Sequence, residues 1–154
     1  MIERELKNDA IATPSILSPI YKILVIMLTI KHSPSKKGTQ VSRIQVFLWA
    51  MSGSVNRKIL SEYNHSGIVG ELPISPDPQL RILLAEAEQR GWIEMIEDGQ
   101  SRIRYQLSLQ GDAILYGLRE TGIYKEIEAG FVEIGKMPDS KLNNVNYVWS
   151  HDIL

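Results

Sequence analysis

Between Ser75 and Leu118 the local signals leave little choice of structure. Asp77 is an N-cap residue type, and it precedes Pro78, whose missing N–H and preset φ suit a first helical position. Leu80, Leu83, Leu84 and Ala87 then recur at helical spacing, until Gly91 supplies the left-handed residue that ends a helix. Two β-prone runs follow, Trp92 to Glu97 and Arg102 to Leu107, joined through Asp98 and Gly99, a dipeptide that tolerates the positive φ of a tight hairpin. In the second run Ile103, Tyr105 and Leu107 alternate with Arg102, Arg104 and Gln106, the pattern of one buried and one solvated face. Ser108 is placed to cap the next helix, whose apolar positions include Ala113, Ile114 and Leu118. Helix, hairpin, helix is the expected order.

A helix ending in Gly-Trp-Ile, a hairpin with an acidic-glycine tip and a strand running into Leu-Ser-Leu-Gln-Gly together resemble the recognition helix and wing of winged-helix domains. The resemblance implies a mainly α (α+β) fold, a winged helix with a two-stranded wing and a C-terminal helical extension. On this reading residues 1–17 are an N-terminal arm, 18–120 the winged-helix domain and 121–154 the helical extension and tail. Winged helices serve both DNA readers and protein adaptors, so the fold alone does not assign a function.

Upstream of this stretch, Ser18 and Pro19 open a helix running to about His32 that is apolar on every side, with Ile20, Ile23, Leu24, Met27 and Ile30 on one face and Val25, Ile26 and Leu28 on the others. Such a helix is buried all round, by the core or by a partner. The loop His32 to Thr39 leads to helices at about Gln40–Met51 and Val55–Tyr63, the latter presenting Arg57 and Lys58 outward. Residues from about Asn64 to Pro76 have room for a short strand that adds to the hairpin. Helices are expected again at about Leu109–Glu120, Ile123–Lys136 and Pro138–Trp149.

Charge is strongly segregated. From Ala10 to Ser61 there are seven basic residues (Lys22, Lys31, Lys36, Lys37, Arg43, Arg57 and Lys58) and no Asp or Glu, whereas Glu62 to Leu154 holds eight basic and fifteen acidic residues. Segregation of this kind means either two faces that meet different partners, one of them anionic, or two halves that neutralise each other inside one fold.

The motifs of several enzyme classes are missing. The chain has no cysteine, no phosphate-binding glycine loop and no nucleophile elbow, and His32, His65 and His151 lack ligand spacing. Acid pairs such as Glu86 and Glu88 are two apart on a helix and diverge. No catalysis, cofactor, metal or small-molecule substrate is expected. The charged start MIERELKNDA is not a secretory signal, and the apolar run Tyr21 to Ile30 is far shorter than a membrane span, so the expectation is a cytoplasmic chain with no membrane contact.

The remaining contest is between a DNA reader and an assembly subunit. From Asp77 to Leu107, Arg81, Arg90, Arg102 and Arg104 face Asp77, Glu86, Glu88, Glu94, Glu97 and Asp98, so a recognition helix and wing built here are net acidic and repel phosphates. A helical tail carrying IEAGFVEIGKM after a small winged helix is similar to the middle components of prokaryotic three-component ABC systems, such as Lamassu-type antiviral defence. That resemblance implies an adaptor between an SMC-like or Rad50-like ATPase and an effector protein. The alternative is a dimeric winged-helix transcriptional regulator. Candidate contacts to nucleic acid, by nonspecific DNA binding, or to an acidic partner are Lys31, Lys36, Lys37, Arg43, Arg57 and Lys58. Candidate wing contacts are Gln100, Arg102 and Arg104. The apolar tail residues Tyr147, Trp149, Ile153 and Leu154 are candidates for a protein interface.

Overall fold

A computed structural model describes residues 18–66, 72, 74–97, 99 and 102–143. The arm 1–17, Asp98 at the hairpin tip, Gln100, most of the proposed 64–76 strand region beyond Ser66, and the tail with Tyr147, Trp149, Ile153 and Leu154 lie outside the described residues. The chain is mainly helical with a small antiparallel sheet. In chain order it contains α1 (Pro19–Lys31), β1 (Thr39–Gln40), α2 (Val41–Ala50), α3 (Ser54–Ser66), α4 (Leu80–Gln89), β2 (Ile93–Glu97), β3 (Ile103–Leu107), α5 (Leu109–Leu118) and α6 (Gly122–Ile134), with a further helical turn over 139–143.

Helix α1 is the centre of the core. Every residue from Ile23 to Ile30 is buried, so the all-round apolar pattern is satisfied within the fold. The Ser18 side chain accepts from the Ile20 N–H and Pro19 occupies the first turn, as the sequence indicates. Around α1 pack Ile44, Val46 and Leu48 of α2, Leu60 of α3, Leu83 and Leu84 of α4, Leu115 of α5 and Ile127 of α6, all in one continuous cluster. Thr29 sits inside this cluster with its hydroxyl donated back to the Val25 carbonyl at 2.7 Å, so its burial leaves no donor unmet.

The hairpin forms between Ile93–Glu97 and Ile103–Leu107, with Met95 opposite Tyr105 and Ile96 opposite Arg104. The sheet has three strands rather than two. Thr39 and Gln40 pair with Tyr105 and Arg104, giving the order β1-β3-β2. A two-residue strand shows no alternation, which is why periodicity did not reveal it. Its pairing also changes the fate of β3. Arg104, expected on the solvated face, is buried, because Gln40 lies opposite it and its guanidinium donates to the Gly38 carbonyl at 3.2 Å. Ile103, expected to be buried, is 53% exposed, since its partner is Glu97 in the last pair of the hairpin, beyond the core contacts of Tyr105.

The corner joining hairpin to helices is tight. Gly91 has φ 76 and ends the α4 region as expected. Ser108 accepts from the Gly111 N–H and donates to the Gly91 carbonyl, capping α5 and tying it to that corner. A Cβ on Gly111 would lie 2.0 Å from the Trp92 carbonyl oxygen, so only glycine lets α5 start this close to the backbone just before β2. At the other end of α4 the cap differs from the sequence reading. Asp77 accepts from the Gln79 N–H in a turn, and α4 begins only at Leu80. The expected first turn is spent on that local bond.

Candidate interaction surface

The segregated charges meet across the fold. Lys22 pairs with Asp77 at 2.8 Å, Lys31 with Asp112 at 3.1 Å, Arg43 with Asp139 at 2.8 Å and Arg57 with Glu133 at 2.9 Å. His32 lies 3.9 Å from Glu128. Each pair takes its base from the stretch that has no acid and its acid from the acidic part of the chain. Between the two readings of the charge pattern, internal neutralisation accounts for most of it.

The six basic candidates therefore do not form one surface. Arg43 is inside the protein, its side chain 4% exposed, with Nη2 donating both to the Met137 carbonyl at 2.7 Å and to Asp139. It also lies over the Phe47 ring. Arg57, read as outward from the sequence, is drawn against α6, and Lys31 is engaged at the start of α5. Lys36, Lys37 and Lys58 are exposed and make no ion pair among the described residues. The first two sit in the 32–39 loop and the third on α3, so they are not brought together by one element. Arg102 is exposed beside the hairpin, whereas Arg104 is engaged inside it.

Helix α4 offers a different kind of surface. Its inner stripe is Leu80, Leu83, Leu84 and Ala87, all buried. Its outer stripe is Ile82, Ala85, Glu86 and Gln89, spaced to share one helical face, with Arg90 at the next turn. These five line a shallow depression. Ile82 is 69% exposed at its head, and the Arg90 guanidinium is held by Glu86 one turn back. An apolar residue out of register with the stripe of Leu80 was visible in the sequence, and it is the signal that could have marked this face. On the hairpin, burial pushes the Tyr105 phenol up, helped by the Glu88 carboxylate of α4. Met95 and Ile103 share the Tyr105 face of the hairpin by register and are both more than half exposed.

Among the described residues there is no cluster of three or more His, Asp or Glu side chains able to hold a metal. No helix among them is long and apolar enough to cross a membrane. No family model, curated protein or solved structure matches the chain.

Proposed function

We propose that this chain is a non-catalytic winged-helix adaptor that joins an SMC-like or Rad50-like ATPase to an effector protein in a prokaryotic defence complex, and that the outer face of α4 is one of its contact surfaces. The observation that carries the proposal is the make-up of that face: Ile82 and Ala85 exposed, and Arg90 already neutralised by Glu86. A helix that reads DNA has to offer cations and amides to phosphates and base edges. This one offers an apolar centre with a polar rim, the composition of a protein contact. The winged-helix reading is supported by a hairpin that follows α4 directly and by the short strand β1 that extends it to a three-stranded sheet. Internal pairing of Arg43, Arg57 and Lys31 also removes half of the residues available for an anionic partner.

The test is a reconstitution with the ATPase encoded beside this chain, if one with a long coiled coil adjoins it. Co-purification of the two, lost on Ile82→Glu while thermal unfolding of the isolated chain stays within about 0.5 kcal/mol of wild type, supports the adaptor. Nanomolar binding of the chain to one duplex sequence at physiological salt, abolished by Arg81→Ala, would establish the regulator instead.

A further inference from the structure

The three-stranded sheet has a notch in it. The Ser108 N–H donates to the Trp92 carbonyl at 3.1 Å, and the β2–β3 register alternates from there. Gln106 and Arg104 therefore turn their main-chain groups to β2, while Tyr105 and Leu107 turn theirs the other way. Tyr105 meets Thr39 of β1. Leu107 has no strand opposite it, because β1 starts only at Thr39. Just before, Gly38 has φ 102, and Lys37, which a longer strand would set against Leu107, donates its N–H to the Ser35 hydroxyl at 3.2 Å instead. A cavity of about 520 Å³ lies at this place, within the range of about 300–1,000 Å³ typical of small-molecule sites.

The cavity wall carries a second unmet group. The Thr39 hydroxyl is buried without a hydrogen-bond partner, in a residue 1% exposed. By register the Thr39 side chain shares the sheet face of Tyr105 and Leu107, and all three residues line the cavity. Buried hydroxyls are nearly always paired, so this one marks a place where a polar group is missing. Lys36 also lines the cavity and makes no ion pair among the described residues. Across from it, Asp112 in the first turn of α5 gives only Oδ1 to Lys31. Ile30 and Leu109 make the apolar part of the wall, with Leu109 left 94% exposed.

We propose that this notch binds a free L-α-amino acid with an apolar side chain, laid along Leu107 as a one-residue extension of β1. One extended residue antiparallel to β3 exchanges both main-chain bonds with Leu107: its nitrogen donates to the Leu107 carbonyl and its carboxylate accepts from the Leu107 N–H. That direction also sets the two ends. The carboxylate points toward β1, where the Thr39 hydroxyl and the Lys36 ammonium are, and the ligand's ammonium points toward α5, where Asp112 Oδ2 is free. Directly opposed residues share a sheet face, so the ligand side chain falls on the Leu107 side, with Ile30 and Leu109. Glu94 is on the other face, where it accepts from the Gln106 amide at 3.0 Å. A simple anion fits less well, since it leaves the Leu107 carbonyl and Asp112 without a donor. The proposal is independent of the adaptor reading.

Calorimetric titration of the full chain with L-leucine is expected to show saturable binding. D-leucine, which turns its side chain to the other face, L-leucinamide, which lacks the carboxylate, and 4-methylpentanoate, which lacks the ammonium, are each expected to bind about tenfold more weakly or worse. N-acetyl-L-leucinamide binding as tightly as L-leucine would assign the notch to the main chain of a peptide, and equal binding of 4-methylpentanoate would reduce it to a carboxylate site. Either overturns the proposal, as does the absence of any heat at about 10 mM L-leucine, enough to fill about nine-tenths of a site with millimolar Kd. Two variants separate binding from folding. Lys36→Ala is expected to weaken L-leucine about tenfold while the free chain melts as wild type does. Thr39→Val removes a hydroxyl that has no partner in the free chain, so that chain is expected to melt no lower than wild type, while the rise in melting temperature caused by L-leucine is at least halved. Thr39→Val that melts lower and binds L-leucine undiminished would show a purely structural hydroxyl and overturn the proposal.

Discussion

Arg43 and Arg57 invite direct comparison. Both come from the acid-free stretch, both reach a carboxylate of the acidic half, and their distances to it, 2.8 and 2.9 Å, are nearly the same. What differs is water. The Arg43 side chain is 4% exposed and Asp139 38%, whereas Arg57 and Glu133 are 25% and 45% exposed. At Arg43 the guanidinium also meets a backbone carbonyl and an aromatic face, so most of its hydration has been replaced by fixed partners. At Arg57 the solvent still screens the pair. Equal geometry at the contact thus hides unequal energetic roles: one arginine fastens the stretch after α6 to α2, and the other decorates a helix seam.

The comparison is broken first by Arg43→Ala. Removing the cation leaves Asp139 and the Met137 carbonyl short of their donor, and the expected loss is about 3 kcal/mol, the lower end for a buried pair because Asp139 keeps part of its hydration. For a chain of this size that corresponds to a fall of roughly 6–12 °C in melting temperature, measurable by calorimetry. Arg43→Lys is expected to recover only part of it, with about 1–2 kcal/mol still missing, since the shorter side chain does not carry its ammonium to the position of Nη2 and loses the planar face set over Phe47. Such a variant being as stable as wild type would mean that charge alone matters at this site. Arg57→Ala is expected to cost at most about 1 kcal/mol, with the difference from wild type shrinking in molar salt. A loss there as large as at Arg43 would erase the distinction.

His32 gives the comparison a pH axis. It is the fifth basic group of the acid-free stretch facing an acid across the fold, and burial holds its pKa below the ordinary 6.5, with Glu128 opposing the shift. A depressed folded pKa means that the unfolded chain binds the proton more readily. The contribution to stability is then present above pH 6.5 and is lost as pH falls through the folded value. Melting curves taken between pH 7.5 and 5 should show wild type losing more stability than His32→Phe over that interval. The smallest effects belong to Lys36→Ala and Lys37→Ala, expected to change stability by less than about 0.5 kcal/mol. A larger change would reveal a partner for the loop lysines within the fold.

The parts of this fold that could be read from sequence are those decided by neighbours a few residues away. Ser18 and Ser108 cap their helices, Gly91 adopts the left-handed conformation, and the hairpin strands fall where the alternation puts them. The all-round apolar stretch of α1 was legible as burial, and only the packing of α2 to α6 around it shows that the cover is internal. Features fixed by distant partners escaped. The burial of Arg104 depends on Gly38 and Gln40, sixty-odd residues earlier, and nothing in its own alternating strand marks it. The charge segregation was plain, yet its meaning was not, because composition cannot say whether opposite charges face one another. Likewise Ile82 stood out of register, but whether an off-stripe isoleucine is covered depends on the tertiary packing of α4.

The distances in sequence between paired groups also bear on how the chain is made. Met137 lies 94 positions after Arg43 and Asp139 96, and Glu133 lies 76 positions after Arg57. At a synthesis rate of roughly 5–20 residues per second, the first third of the polypeptide spends several seconds outside the ribosome with its cations uncompensated. During that interval α1 has neither α4 nor α6 to cover it, and an apolar helix flanked by lysines is exposed to whatever is nearby. Compensation of these cations and the full cover of α1 therefore wait for elements late in the sequence.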